Sequence, residues 1–353
     1  MNLFFKTFIK IIAILSSISI FFVVLLTLSS FFTKIENKKI FMPTSGDVNS
    51  ENKIAVLKLI GPILNEPSFV SDYKLFNNIN VIYVNNIKNI LKNLESEKIK
   101  GLIISINSPG GSVSASFNLY NLFNEFKIIN NIPLFFYTNE LMASGAYWAA
   151  LSGNKIFANY GSLIGSIGVK GPDWIYFDEP LVISSGLLGS SVVTKNGIKK
   201  FSNIAGNSKD IYDPFRPPTK NEKIDLHNAV QNIYDDFVNK VSSSRKIERN
   251  TILNDIGAMI YDTKSAKEKF LIDDTVTLER VIKTMVENLN FDNFQVIEKE
   301  NFKSGLLENI IGTKLLSRNF LDDSKDSQIS LICNIAKFQL STIIIQNNLY
   351  TGC

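Results

Sequence analysis

Two patterns of apolar and polar positions alternate along this chain. Short, almost wholly apolar runs occupy residues 54–60, 101–106 and 134–137, and the segments between them place apolar residues three or four positions apart. Continuous apolar runs of this length are typical of strands buried on both faces of a parallel sheet, and the wider spacing is typical of amphipathic helices. The alternation predicts an α/β fold with crossover connections.

Two of the predicted helices have distinct signals. One covers residues 114–128, with Phe117, Leu122 and Phe126 facing the core. Another begins after a pair of prolines, where Thr219 and Glu222 have the spacing of a capping box. Further strands are expected at residues 155–158 and 163–169, continuing the sheet.

The N-terminal pattern differs from the rest. Residues 11–33 carry no charge and lie between Lys10 and Lys34. A helix of this length reaches roughly 34 Å, which is enough to cross the hydrocarbon core of a bilayer. The exit of the run is a poor signal-peptidase site, so an uncleaved anchor is favoured over a signal peptide. Lysines on both sides leave the orientation open, and residues 34–53 are polar and predict a linker.

The composition limits the classes of molecule that this chain is expected to bind. The formal net charge is +4, without a basic cluster interleaved with aromatic residues, so no nucleic-acid partner is expected. Two cysteines, Cys333 and Cys353, and one histidine, His227, are too few for a structural zinc site. We therefore expect neither a metal nor a cofactor.

Candidate chemistry lies in two glycine-containing segments. NSPGGSV at residues 107–113 ends a predicted strand with a tight turn, and MASGAYWAA at residues 142–150 places Ser144 before a helix. Glycine N–H groups can point at a developing oxyanion, and a hydroxyl at a helix N-terminus is a candidate nucleophile. An N-cap serine is the structural alternative for Ser144. The lone His227 lies on a predicted surface helix, so a base other than histidine is needed, and lysine is one that serine enzymes use.

These segments and two others resemble one family. In order they are residues 107–113, residues 143–150, GSLIGSIGV at 161–169 and KDIYDPFRPPT at 209–219, within a similarity that runs over about residues 54–276. Together they resemble the signal peptide peptidase A family, membrane-anchored serine–lysine peptidases of the ClpP/crotonase fold. The resemblance implies a spiral of β-β-α units.

The resemblance also implies roles for individual residues. Ser144 would be the nucleophile, Lys209 the general base and Ser166 the group that orients the lysine, while the backbone N–H groups of Gly111 and Gly145 would form the oxyanion hole. From the residues alone, Ser166 could not be chosen over Ser162, and Lys195, Lys199 and Lys200 compete with Lys209. Asp213 stands where the family usually has a small residue before the proline.

A lysine accepts a proton only as a neutral amine. The pKa of such a base must fall from about 10.4 by roughly two to four units, and apolar walls ordinarily achieve this by desolvation. The edge formed by Gly110, Ser112 and Val113 is expected to bind an extended peptide by β-addition. Small and apolar surroundings favour apolar peptides.

The organisation expected is an anchor over residues 1–33, a linker over 34–53, a peptidase domain over 54–290 and an extension of unknown role over 291–353. The resemblance implies a homo-oligomer at the bacterial inner membrane, with the catalytic domain extracytoplasmic (periplasmic), degrading remnant signal peptides and membrane-protein fragments. Two alternatives stay open. One is an anchored scaffold that binds peptides without cutting them, and the other is an acyl-CoA hydratase or isomerase on the same fold.

Overall fold

The computed structural model describes residues 2–32, 40–66, 80–178, 182–185, 190–193, 197 and 200–299. The chain divides into two compact units, residues 1–42 and residues 43–353. The first unit is dominated by helix α1 (Asn2–Phe32). Within α1, the stretch Phe4–Phe22 is long and apolar enough to cross a membrane, judged by length and composition.

The second unit holds the sheets and the remaining helices. Its strands, with β1 at the boundary, are β1 (Phe41–Gly46), β2 (Lys53–Ile60), β3 (Ile63–Leu64), β4 (Ile82–Tyr83), β5 (Gly101–Asn107), β6 (Leu134–Thr138), β7 (Leu141–Ala143), β8 (Lys155–Ala158), β9 (Leu163–Gly165), β10 (Val182–Ser185), β11 (Ser190–Val193), β12 (Ile260–Asp262), β13 (Asp274–Thr275) and β14 (Gln295–Lys299). Its helices are α2 (Val84–Ser96), α3 (Val113–Asn130), α4 (Gly145–Ala150), α5 (Lys220–Arg245), α6 (Arg249–Thr251), α7 (Thr263–Glu268) and α8 (Leu278–Leu289), with a π-helical turn at Ile252–Ile256.

The main sheet has seven strands in the order β1-β14-β2-β5-β6-β8-β13. From β14 to β13 every neighbouring pair is parallel. The central strand β5 is buried along its length except at Asn107, as a strand covered on both faces must be. Side chains of β5 and β6, such as Ile103 and Phe135, pack with Val281 and Met285 of α8 in one hydrophobic cluster.

Short strands at the carboxyl ends of the main strands build a second layer. After β2 comes β3, after β6 comes β7 and after β8 comes β9, and β9 pairs with both β7 and β12. After β5 the equivalent segment makes single bridges, Ser108 with Met142 and Gly111 with Ile63. In the first three of these strand–strand repeats a helix follows: α2, α3 and α4, respectively. The structure thus confirms the predicted α/β fold built from β-β-α units.

The folded unit is longer at both ends than the predicted domain of residues 54–290. Strand β1 comes from the segment predicted to be a linker, and β14 comes from the predicted extension. Strand β14 runs parallel to β2, with Val296 beside Ile54, and both side chains are buried. Residues 300–353, with Cys333 and Cys353, lie outside the described part of the chain.

Helix α3 faces the core differently from the prediction. Its buried side chains include Leu119, Phe123 and Phe126, spaced four and three residues apart, whereas Phe117 is 46% exposed. The prediction that Phe117 points inward is therefore wrong. The spacing from Leu119 defines a full helical stripe, and Phe117 lies outside it.

Candidate active site

Ser144 occupies a strained turn between a strand and a helix. It follows β7 and precedes α4, with φ +53° and ψ −124°, a conformation that non-glycine residues rarely adopt. Its amide donates to the carbonyl of Gly165 at 2.8 Å. Its side chain does not cap α4, and it makes no hydrogen bond within the described part of the chain. Ser144 is thus half-buried, and its hydroxyl has no hydrogen-bond partner among the described residues. The structure does not show the alternative in which this hydroxyl caps the helix.

Ser166 lies beside Ser144. Strands β7 and β9 are parallel with Ala143 opposite Gly165, so the two serines are the next residues in register. Like Ser144, Ser166 has a positive φ, +54°, and its amide donates to the Met259 carbonyl at 2.7 Å. Adjacent strands lie about 4.8 Å apart, so the two serines are neighbours. Ser162, by contrast, is buried, and its hydroxyl donates to the Thr138 carbonyl at 3.3 Å.

The glycine turn directs one amide toward Ser144. The Ile63 amide donates to the Gly110 carbonyl at 2.8 Å, and the Ile63 carbonyl accepts from the Ser112 amide at 3.0 Å. This parallel bridge turns the N–H of Gly111 away from Ile63. A Cβ placed on Gly110 would lie 2.6 Å from the Gly145 nitrogen and 2.9 Å from the Ser144 Cβ. The turn therefore packs directly against the nucleophile candidate.

The Gly111 and Gly145 amides are close to each other. A Cβ placed on Gly145 would lie 3.4 Å from the Gly111 nitrogen. Neither N–H group has a hydrogen-bond partner among the residues that the structure describes. Two free donors beside one hydroxyl form an arrangement that can stabilise an oxyanion.

A groove of about 680 Å³ lies between α3, α4 and α5. Its lining is formed by the apolar residues Val113, Phe117, Trp148 and Ile233 and by the polar residues Asp236, Asn239, Lys240 and Ser243. Its floor includes Trp148, one helical turn after Ser144, which stacks on Phe237 with ring centroids 4.5 Å apart. Val113 and Phe117 line it and are exposed. Ser112, expected at the peptide-binding edge, is the N-cap of α3 and accepts from the Ala115 amide at 3.4 Å.

Lys209 has no direct polar contact with either serine among the described residues. It is exposed, and it makes no hydrogen bond or ion pair with Ser144 or Ser166. Of the competing lysines, Lys200 pairs with Asp213 at 2.6 Å; Lys195 and Lys199 lie outside the described residues. His227 is exposed on α5, as the sequence predicts.

The structure adds a charged group next to Lys209 that sequence reasoning missed. Arg216 donates to both carboxylate oxygens of Asp210, each at 2.7 Å, and to both of Glu222, at 2.7 and 2.9 Å. Its guanidinium carbon lies 5.1 Å from the centre of the Trp174 ring. We call these four residues the Arg216 cluster. Its only signal in the sequence was the block DPFRPPT followed by the capping-box spacing.

Comparisons with known proteins show which sequences this chain resembles. The sequence profile of peptidase family S49 matches residues 127–292. A provisionally named protease of Methanocaldococcus jannaschii is 33% identical over 211 residues, which are 60% of this chain and 63% of that protein. A provisionally named signal peptide peptidase SppA of Enterococcus faecium is 27% identical over 266 residues, 75% of this chain and 72% of that protein. The chain thus spans less than two thirds of the archaeal relative's length.

Among solved structures, one similar fold is that of the membrane-bound stomatin-specific protease 1510-N. That structure is a lysine-to-alanine variant in complex with a substrate peptide, and the alignment covers 74% of this chain and 96% of that chain. The TM-score is 0.41 and the identity 17%, a likeness too low to bear on function. The profile match spans Ser144, Ser166 and Lys209 and confirms the resemblance seen in the sequence. The match to the model of peptidase family S49 covers residues 127–292, slightly less than half of this chain.

Proposed function

We propose that this protein is a membrane-anchored serine endopeptidase that cleaves apolar peptides. The observation that carries the proposal is the Ser144 turn, where an uncommitted hydroxyl lies beside two free glycine amides. A strained residue persists only where its surroundings hold it, and such strain is concentrated at functional sites. The family match over this region supports the same function.

In the proposed mechanism, Ser144 attacks the scissile carbonyl while its hydroxyl proton passes to the neutral amine of Lys209. The amides of Gly111 and Gly145 stabilise the oxyanion of the tetrahedral intermediate. The carbon–nitrogen bond then breaks, and the lysine returns its proton to the leaving amine. Water attacks the ester in the same way and regenerates both groups. Ser166, next to Ser144, would hold the amine in place.

The base is proposed to act across a subunit boundary. In the single chain Lys209 is exposed and lacks the apolar surroundings that a lysine base needs. A second copy that covers Lys209 would desolvate the amine and bring it to a Ser144 hydroxyl. This proposal accounts for an exposed Lys209 that makes no hydrogen bond to Ser144 or Ser166 among the described residues of one chain.

The substrate class is inferred from the groove and the anchor. Val113, Phe117 and Trp148 give one side of the groove an apolar surface. Gly111 can contact an extended peptide at the edge formed by Gly110, Ser112 and Val113, with its N–H facing the scissile carbonyl oxygen that becomes the oxyanion. An apolar helix able to cross a membrane supplies proximity to a bilayer. We therefore propose remnant signal peptides and membrane-protein fragments as substrates, cleaved on the extracytoplasmic side of the inner membrane.

A fluorophosphonate probe, which reacts with activated serines, tests the proposal. We expect Ser144→Ala to abolish labelling and Lys209→Ala to slow it by about 10²- to 10⁴-fold, the usual contribution of a general base. Lys209→Arg should be as slow as Lys209→Ala because a guanidinium stays protonated. The measurement is the second-order labelling rate constant of the assembled protein in detergent.

Two variants serve as matched controls. Ser114→Ala removes an exposed hydroxyl shortly after the glycine turn, and Lys200→Arg keeps a cation beside Asp213. Both should label like the wild type. Equal labelling of the wild type, Ser144→Ala and Lys209→Ala would exclude the assigned nucleophile and base. An unlabelled wild type that still binds apolar peptides would favour the non-cutting scaffold.

A further inference from the structure

The Arg216 cluster fixes the chain directly after Lys209. Asp210, the next residue, is held by two hydrogen bonds from Arg216. Arg216 also donates two hydrogen bonds to Glu222 in the first turn of α5. The residue that follows Lys209 is therefore tied through one guanidinium to the start of α5.

The same segment is a series of tight turns with unfavourable backbone angles. Ser208 and Tyr212 have φ of +59° and +68°. The amides of Ile211 and Asp213 donate to the carbonyls three residues earlier, each at 3.0 Å. Left-handed conformations cost a non-glycine residue about 1 kcal/mol or more. Contacts outside the turns must hold this shape, and the Arg216 cluster provides them.

The cluster is anchored on two separate elements. Glu222 lies in the first turn of α5 and also accepts from the Thr219 amide at 2.8 Å, completing the capping box. Trp174 belongs to the segment after β9, and its indole N–H donates to the Asp213 carbonyl at 3.4 Å. A helix end and an aromatic ring thus both contact the guanidinium.

The cluster is charged throughout the neutral range. Hydrogen bonds from Arg216 are the largest cause of a pKa of Glu222 well below its usual range, and the Thr219 amide adds to it. The pKa of Asp210 is also lowered, chiefly by Arg216. The Glu222 side chain is only 5% exposed, so its ion pair is shielded from salt.

We propose that Arg216 is a positioning residue for Lys209: by linking Asp210 to Glu222 at the start of α5, it holds the turn next to the lysine and so keeps the amine in one position. This inference rests on the proposed function, in which Lys209 is the base. Arg216 does not touch the reacting atoms and acts only through the lysine. Lysine cannot replace it, because a single ammonium lacks the planar fork that holds two carboxylates at once.

The first test compares Arg216→Lys with Arg249→Lys. Arg249 also pairs with a carboxylate, Asp235, at 2.6 Å, but it has no contact with the Lys209 segment. We expect Arg216→Lys to slow fluorophosphonate labelling by about tenfold or more, since small misplacements of a catalytic group have large effects. It should lower kcat for an apolar peptide and leave KM unchanged. Arg249→Lys should label within about twofold of wild type, as expected for a partly exposed pair.

The second test separates positioning from a general structural role. In a Lys209→Ala background, Arg216→Lys should have no further effect on labelling, because the group it positions is absent. An equal loss in both backgrounds would overturn the inference. For Arg216→Ala, added methylguanidinium should restore labelling at saturable concentration, whereas Lys209→Ala should not respond.

Different results would overturn the proposed function and the positioning role of Arg216. If Ser144→Ala and Lys209→Ala both label like wild type, the proposed function fails, and this inference fails with it. If those variants lose labelling while Arg216→Lys and Arg216→Ala label at the wild-type rate, only the inference is overturned. Thermal melts of each variant, read beside the labelling rates, show whether a loss reflects unfolding.

Discussion

At the scale of single residues, Gly145 is a tightly packed position in the candidate active site. It is buried, and a Cβ there would lie 2.0 Å from the Ser116 Oγ and 2.8 Å from the Ser116 Cβ. Real side chains do not approach so closely, so helix α3 or the turn at Ser144 would have to move. The close packing of α3 on α4 therefore depends on this glycine, and so does the direction of its amide.

We expect Gly145→Ala to destabilise the protein by about 1–3 kcal/mol, as overpacking does, and to slow labelling of Ser144 because the amide moves. The double variant Gly145→Ala/Ser116→Gly removes both close atoms and should recover part of the lost stability and labelling. Melting temperature and labelling rate are the measurements. If the second substitution gives no recovery in either, the clash is not the cause.

At the same scale, what the sequence could predict depended on local spacing. Ser144, Gly111 and Gly145 stand out because glycines and a serine next to a helix start are visible in a short segment. Ser166 could not be distinguished from Ser162, since only strand register places one of them beside Ser144. Arg216 was missed because its stacking partner, Trp174, is distant in sequence.

At the scale of elements, the start of helix α5 combines two functions. Thr219 and Glu222 cap it, and Glu222 also belongs to the Arg216 cluster. The capping-box prediction is confirmed from spacing alone, because a cap is a local feature. The buried face of α3 could not be predicted in the same way. Phe117 is apolar, but it lines the groove and is exposed. The pattern of apolar positions does not distinguish an exposed groove residue from a core residue.

The ion pair of Glu222 makes stability depend on acid pH. Because its pKa is lowered on folding, the folded state binds fewer protons than the unfolded state, and stability rises with pH through that range. The contribution should be complete above the unfolded value of about 4.3 and decline below it. We expect the melting-temperature difference between wild type and Glu222→Gln to be constant from about pH 8 to about pH 5 and to shrink in stronger acid.

The control for this prediction is Glu287→Gln. Glu287 pairs with Arg280 on the surface of α8, and both side chains are more than half exposed. Its melting-temperature difference from wild type should be small at every pH. A Glu222→Gln difference that grows as the pH falls would contradict the assigned sign.

At the scale of the whole molecule, one chain contains the Ser144 turn and an exposed Lys209 that makes no hydrogen bond to it among the described residues. The β-β-α units place Ser144 and Ser166 at the carboxyl end of the parallel sheet, while Lys209 lies further along the chain in a segment of turns. The fold could be predicted from the alternation of apolar runs. Contact between Ser144 and Lys209 could not, since a motif carries no information on distance.

Mixing two inactive variants tests whether subunits share the site. Ser144→Ala retains the lysine, and Lys209→Ala retains the serine. If the site forms between copies, co-assembly at equal amounts should restore about one quarter of wild-type activity, because a random neighbour supplies the missing group in that fraction of sites. Peptide cleavage after unfolding and joint refolding, or after coexpression, is the measurement. No recovery from verified mixed assemblies would mean that each site uses its own lysine.

The position of β14 has a practical consequence for producing this protein. A recombinant fragment that stopped near residue 290, close to the end of the family match at residue 292, would lack the strand that covers β2. The bare backbone groups of β2 would then be a template for pairing with other copies, which is how unprotected sheet edges cause aggregation. Expression of the soluble portion should therefore extend at least through Lys299, and precipitation of shorter versions would reflect a missing strand and not an inherently insoluble catalytic domain.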